Sequence, residues 1–205
     1  MTYRPTIIVL AAGRGSRFLG DSHKLEQDIG GSSVLSSTLR NVIASGLPCL
    51  VVTTAPLEAL ACRHVSPHDV VVLPEADGGS KLGMGYSIAN GVCARSASPG
   101  WLILPADMPL VQPETLVAVA DALEHHPVTY AQHRGRRGHP VAFAAELYSE
   151  LASLSGDEGA RRLTARYPAF GVEVEDAGVL VDVDTQEDLS ALRAGRAQVA
   201  LRPPL

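Results

Sequence analysis

The chain has 205 residues, of which 46% are hydrophobic and 19% charged, with a formal net charge of -5. That size and balance fit one folded domain over residues 1–205 with a substantial core. They exclude a disordered chain, and also a general nucleic-acid binder, which would be basic. No apolar run approaches the roughly 18 residues of a membrane span, and the Gly/Arg loop after IIVLAA is a poor signal-peptide cleavage region. The three cysteines, Cys49, Cys62 and Cys93, form no CxxC. They read as buried reduced thiols of a cytoplasmic protein.

Residues Thr6 to Leu10 predict a buried strand. Ser32 to Ser45 predict a helix with Val34, Leu35, Leu39, Val42 and Ile43 on one side and Gly46 as its stop. Leu50–Thr53 is the next strand, Pro56–Arg63 a short helix and Val70–Leu73 a third strand. The loop PEADGGSKLGMG leads into a helix from about Tyr86 to Arg95. Trp101–Leu104 is a fourth strand, and Pro113–Glu124 is a helix with proline in its first turn. Val128–Gln132 and Val141–Phe143 flank RGRRGHP, the pattern of a hairpin. Glu146–Leu154 reads as helix, and GDEGARRLTARY starts another with Asp157 as its N-cap. Val179–Val181 is a last strand. Thr185 caps a closing helix, with Asp188 as its capping-box partner.

Alternating strands and helices imply right-handed crossovers and a mostly parallel sheet covered on both faces. This is an α/β, three-layer αβα sandwich, and the hairpin makes its sheet mixed. Ligands in such sheets sit beyond the carboxyl ends of the strands.

The loop after the first strand carries Gly13, Gly15, Gly20, Arg14, Arg17 and Lys24. It is not a Walker A loop, because Asp21 and Ser22 follow Gly20 where Lys and Ser/Thr belong. It is not a dinucleotide fingerprint either, because Phe18 stands at the third glycine. What remains is a Gly/Arg/Lys loop. Its amides can approach an anion, Arg17 can fork onto phosphate oxygens and Lys24 can add a point charge; the alternative is a solvated surface loop. Asp107 in PADMP follows the fourth strand, so it sits at the same sheet end. A carboxylate facing a cationic loop suggests a phosphate bridged by Mg2+. Asp182 and Asp184 follow the last strand and are expected to point to opposite faces, with only one reaching the site and the other serving as a turn or capping group.

Together these segments resemble the MobA-like nucleotidyltransferases, and most of all the molybdenum-cofactor cytidylyltransferases. LAAGRGSRF with Lys24 resembles the family's opening loop. GMGYSIANGV, PADMP, RGHPVAF, GDEGAR and VDVDTQEDL resemble its later segments in order. The resemblance implies a Rossmann-like fold of nucleotide-diphospho-sugar transferase type and transfer of a nucleoside monophosphate from an NTP to a phosphorylated acceptor. It places Gly13, Gly15, Arg17 and Lys24 on the triphosphate, Ala11 and Ala12 beside the base, and Ser87 on the nucleotide. The Ala-Ala pair is that of the cytidylyl branch, so CTP is the expected nucleotide. Arg17, Lys24 and Asp107 would be the catalytic groups. Asp107 would bind Mg2+ with Asp182 as second ligand and Asp184 in reserve. His139, Arg136 and Arg137 would face a molybdopterin-type acceptor. A molybdoenzyme or its chaperone would receive the product.

Three departures bear on this reading: Glu26 and Gln27 replace apolar residues, GGSSV replaces the usual segment before the helix, and Glu158 stands in place of a family lysine. The last bears on acceptor identity. A different base, a sugar or polyol phosphate acceptor, and a non-catalytic nucleotide-binding module stay open as alternatives.

Overall fold

A computed structural model describes residues 4–13, 18, 23–74, 83–157 and 159–195. The strands are β1 (Thr6–Ala11), β2 (Cys49–Thr54), β3 (Val70–Leu73), β4 (Gly100–Pro105), β5 (Val128–His133), β6 (Arg136–Ala144) and β7 (Ala169–Glu173). The helices are α1 (Val34–Ala44), α2 (Ala55–Ala61), α3 (Gly83–Ala94), α4 (Pro113–Ala122), α5 (Tyr148–Ala152), α6 (Arg161–Arg166) and α7 (Gln186–Arg193).

The strands form one seven-stranded sheet in the order β3-β2-β1-β4-β6-β5-β7. All neighbours are parallel except β6, which is antiparallel to both β4 and β5. The expected mixed, mostly parallel sheet is therefore present. Because β6 runs backwards, its first residues share an edge with the last residues of β1 and β4. The register pairs Ile103 with Val141, which brings His139 level with the end of β4.

Side chains divide by strand alternation into two cores, which makes the fold three-layered. Ile7 and Val9 of β1 and Leu102 and Leu104 of β4 pack with Leu35, Leu39, Leu116 and Val119 from α1 and α4. Ile8, Trp101, Ile103 and Phe143 pack on the other face with Ile88, Leu151 and Leu163 from α3, α5 and α6.

Four local expectations are corrected. Val179–Val181 is not a strand: residues Ala177–Leu180 make a 3-10 turn. The buried Asp176 accepts from Gln112 N, Thr115 Oγ1 and Gly178 N, and Gly178 lies so close to the Leu110 carbonyl that a Cβ would collide with it. The last strand is instead β7. Asp157 does not cap α6, which starts at Arg161 after Ala160 with no side-chain cap. Residues 155 and 156 are instead packed against the start of α3: Gly85 N donates to the Gly156 carbonyl at 2.8 Å, and a Cβ on Gly85 would lie 2.7 Å from the Ser155 carbonyl oxygen. Ile43 is exposed rather than on the buried side of α1. The cysteines are free as expected, but Cys93 is exposed and Cys49 and Cys62 are only half-buried.

Candidate active site

The carboxyl end of β1 opens the site. Ala11 is fully buried, Ala12 packs against the α3-side core, and Gly13 is exposed. Gly15 and Arg17 lie outside the described residues, as do Lys81 and Glu158. Phe18 is buried among the α1-side core residues. The loop's two ends are pinned together by His23, whose Nε2 donates to the Gly13 carbonyl at 2.8 Å while its Nδ1 accepts from Leu25 N at 3.2 Å. Nothing in the sequence pattern marked His23.

Directly after this pin a short 3-10 turn, Lys24–Glu26, aims Lys24 back over the sheet edge. Its ammonium donates to Asp107 Oδ2 at 2.5 Å and to Asp184 Oδ1 at 2.9 Å. The Lys24 side chain is 11% exposed, and the carboxylates 16% and 17%. Lys24 is thus not on a solvated surface loop, the alternative that the sequence left open. Burial alone would push the ammonium's pKa down, but Asp107 and Asp184 outweigh it and hold the pKa above its ordinary value.

Asp107 is placed by α1. Thr38 Oγ1 donates to the Ala106 carbonyl at 2.8 Å, and Asn41 Nδ2 donates to the carbonyls of Pro109 and Val111. Val183 N donates to the Asp107 carbonyl at 2.9 Å, tying the DxD segment to the same turn. The expected opposition of Asp182 and Asp184 is corrected: residues two apart on an extended stretch turn to the same side, the intervening Val183 is buried in the α1-side core, and no strand carries the segment. Asp184 pairs with Lys24, and Asp182 also feels the site. Asp182 is solvent-exposed as a residue, but partial desolvation of its carboxyl, then the charges of Asp184 and Asp107, hold its pKa above the ordinary value.

Among the described residues Asp107 Oδ1 is buried with no hydrogen-bond partner. Two carboxylates thus share one ammonium, with Asp107 Oδ1 unmatched among the described residues. Among the described residues no group of three or more His, Cys, Asp or Glu side chains is assembled into a ready-made metal cage. Surplus negative charge and one or two available carboxylates still fit a hard divalent ion, which takes its remaining oxygens from phosphate and water.

Ser87 is buried in α3, and its hydroxyl turns back to the Gly83 carbonyl at 3.4 Å. It makes no contact with the acidic cluster among the described residues. On β6, His139 and Arg137 share the face that bears Val141 and Phe143, the α3 side of the sheet. Burial pushes the His139 pKa down; Asp107 and the Ile103 carbonyl pull it up, and Arg137 adds to the fall. The Arg137 guanidinium lies 4.4 Å over the Tyr130 ring. Partial burial lowers its pKa, Tyr130 opposes this, and the charge of Arg161 lowers it further. Arg161, from GDEGAR, is therefore a neighbour of Arg137, a proximity that nothing in the sequence pattern marks. Arg136 faces the opposite way, with Nη1 buried and unpartnered. The three acceptor-side residues therefore do not form one surface.

Residues 7–170 match the family model of the MobA-like NTP transferase domain. The purine catabolism protein PucB of Bacillus subtilis is 30% identical over 91% of this chain and 94% of its own length. The bifunctional protein GlmU of Rhizorhabdus wittichii is 35% identical over 60% of this chain, but the match spans only 27% of that protein. Among solved structures, Rv0371c of Mycobacterium tuberculosis superposes with a TM-score of 0.78 at 26% identity, covering 93% of this chain and 98% of that one. It has also been crystallised in complex with manganese. A nucleotidyl transferase from Methanothermobacter thermautotroptrophicus superposes with a TM-score of 0.75 at 26% identity, covering 95% and 98% of the two chains.

Proposed function

The chain belongs to the MobA-like NTP transferase family, and from that premise we propose that it transfers CMP from CTP to the terminal phosphate of a molybdopterin-type acceptor. The observation that carries this reading is the Lys24–Asp107–Asp184 cluster at the ends of β1 and β4, with Asp107 Oδ1 left unmatched. An acceptor phosphate oxygen attacks the α-phosphorus of CTP. The bond from that phosphorus to the β-phosphate bridge oxygen breaks, and pyrophosphate leaves. The acceptor phosphate is already ionised near neutral pH, so no general base is required and none is assigned to His139.

Both reactants are anions, so the protein's work is neutralisation and alignment. Gly13 and Gly15 amides, Arg17 and Lys24 hold the triphosphate. Ala11 and Ala12 leave room for the base, and Ser87 stands behind the nucleotide on α3. Asp107 and Asp182, with Asp184 in reserve, would hold a divalent cation, Mg2+ in our reading, which supplies charge neutralisation at the phosphates. The manganese complex of Rv0371c supports a divalent ion for this family. His139, with its depressed pKa, meets the acceptor as a neutral ring. Arg137 offers it a cation and Arg161 joins it, whereas Arg136, on the other face of β6, does not.

A second reading keeps the reaction and changes the base or the acceptor to GTP or to a sugar or polyol phosphate. Glu158, an anion where the family segment has a lysine, favours it. The test is pyrophosphate release with CTP, GTP, ATP and UTP in turn, with and without molybdopterin. The first reading expects release only with CTP and only with the pterin. Release with another nucleotide, or with a sugar or polyol phosphate in place of the pterin, supports the second. Nucleotide binding with no release from any pairing would support a binding module and overturn both.

A further inference from the structure

A lysine that serves only to meet a phosphate needs no carboxylate partners, yet Lys24 has two. Its ammonium lies 2.5 Å from Asp107 Oδ2 and 2.9 Å from Asp184 Oδ1. The other Asp107 oxygen, Oδ1, is buried and has no partner among the described residues. The accessible side of the Asp107 carboxylate is therefore the side that the ammonium covers. A dication placed on that carboxylate would stand within a few ångströms of a fixed positive charge in a poorly solvated site, where like charges repel strongly.

We propose that Lys24 is the resident occupant of the cation site: its ammonium and a divalent ion exclude each other on Asp107, and Asp184 holds the ammonium there. The inference rests on the reading above that Asp107 holds a cation during transfer. Asp184 is then a positioning residue for Lys24 rather than a reserve metal ligand. A triphosphate that attracts the Lys24 ammonium also uncovers Asp107, so nucleotide and cation bind with positive coupling. Without nucleotide, the site's charge is partly neutralised from within and the ion binds weakly.

The test is Mn2+ binding to the nucleotide-free protein, read from the electron paramagnetic resonance signal of free Mn2+. It compares wild type with Lys24→Met, Lys24→Met/Asp184→Asn and Lys24→Met/Asp107→Asn. Lys24→Met should bind Mn2+ at least ~10-fold more tightly, within the usual range of coupling between sites. The Lys24→Met/Asp184→Asn protein has the wild-type net charge at the site and one fewer repelling carboxylate. It should keep the gain, which separates an uncovered Asp107 from a mere change of charge, and it remains informative if Lys24→Met alone fails to fold. Adding Asp107→Asn to Lys24→Met should remove the gain. Equal or weaker Mn2+ binding by both Lys24→Met and Lys24→Met/Asp184→Asn overturns the proposal, and so does a gain that survives Asp107→Asn. Pyrophosphate release is scored separately. A gain in Mn2+ binding with no transfer from any nucleotide retains this inference and defeats the transferase reading, whereas transfer without the gain does the reverse.

Discussion

The amide of Val183 donates to the Asp107 carbonyl at 2.9 Å, and this bond joins the two chain segments that supply the acidic cluster. Asp107 lies in the turn just after the central strand β4, whereas Asp182 and Asp184 flank Val183 on a stretch with no strand partner among the described residues. Gly138 seals the same junction from β6, because a Cβ there would collide with the Val179 carbonyl.

That contact predicts the effect of Gly138→Ala. The methyl group must displace the turn before Asp182, at a cost of about 1–3 kcal/mol, as for other overpacked sites. The midpoint of denaturant unfolding should fall, and transfer should fall further because Asp182 and Asp184 move away from Asp107. A variant with wild-type stability and activity would show that the turn is not held in this way.

Asp107→Asn should reduce pyrophosphate release at least ~10²-fold, the scale of losing one preorganised electrostatic group. Nucleotide affinity, measured by equilibrium titration, should fall much less, since Arg17, Lys24 and the loop amides remain. Undiminished release would remove Asp107 from the reaction.

Arg137 and Arg161 should act on the acceptor alone. Arg137→Ala and Arg161→Ala each remove a cation from the α3 side of β6, so KM for the acceptor should rise while KM for the nucleotide stays within about twofold, the pattern of lost binding to one substrate. An equal rise in both constants would place these arginines on the triphosphate instead.

His139 sets a pH dependence. Its folded pKa lies below its ordinary value of 6.5, with burial as the leading cause. The unfolded chain therefore takes up the proton first as pH falls. The stability this gives to the neutral, buried ring is complete above 6.5 and is lost as pH falls through that value towards the lowered folded one. Thermal unfolding between about pH 7 and pH 5 should show a steeper loss for wild type than for His139→Gln, whose side chain does not titrate. Parallel curves would contradict this assignment.

The central strands were legible because β1, β2 and β4 are buried on both faces and read as unbroken apolar runs. β7 was not, because AFGVE is a half-exposed edge strand interrupted by Gly171. VLV at 179–181 misled for the converse reason: it is apolar because it is buried beneath β6 and the Leu110 turn, not because it pairs. The positions of Lys24 and Asp107 at one sheet end could be read from strand order alone. Their pairing with Asp184 could not, since Lys24 and Asp184 are 160 residues apart in the chain and meet only through side chains. Arg161 was hidden for the same reason, as its neighbour Arg137 comes from another element. His23 carries no motif, and only the fold reveals that it closes the loop.

Group transfer itself is tested most directly with CTP labelled at the α-phosphate, incubated with the protein, Mg2+ and molybdopterin. The label is expected to move into the pterin product in proportion to the unlabelled pyrophosphate released, and Asp107→Asn to reduce both at least ~10²-fold. Label that stays in CTP, or that appears as free CMP with the pterin unmodified, would contradict it.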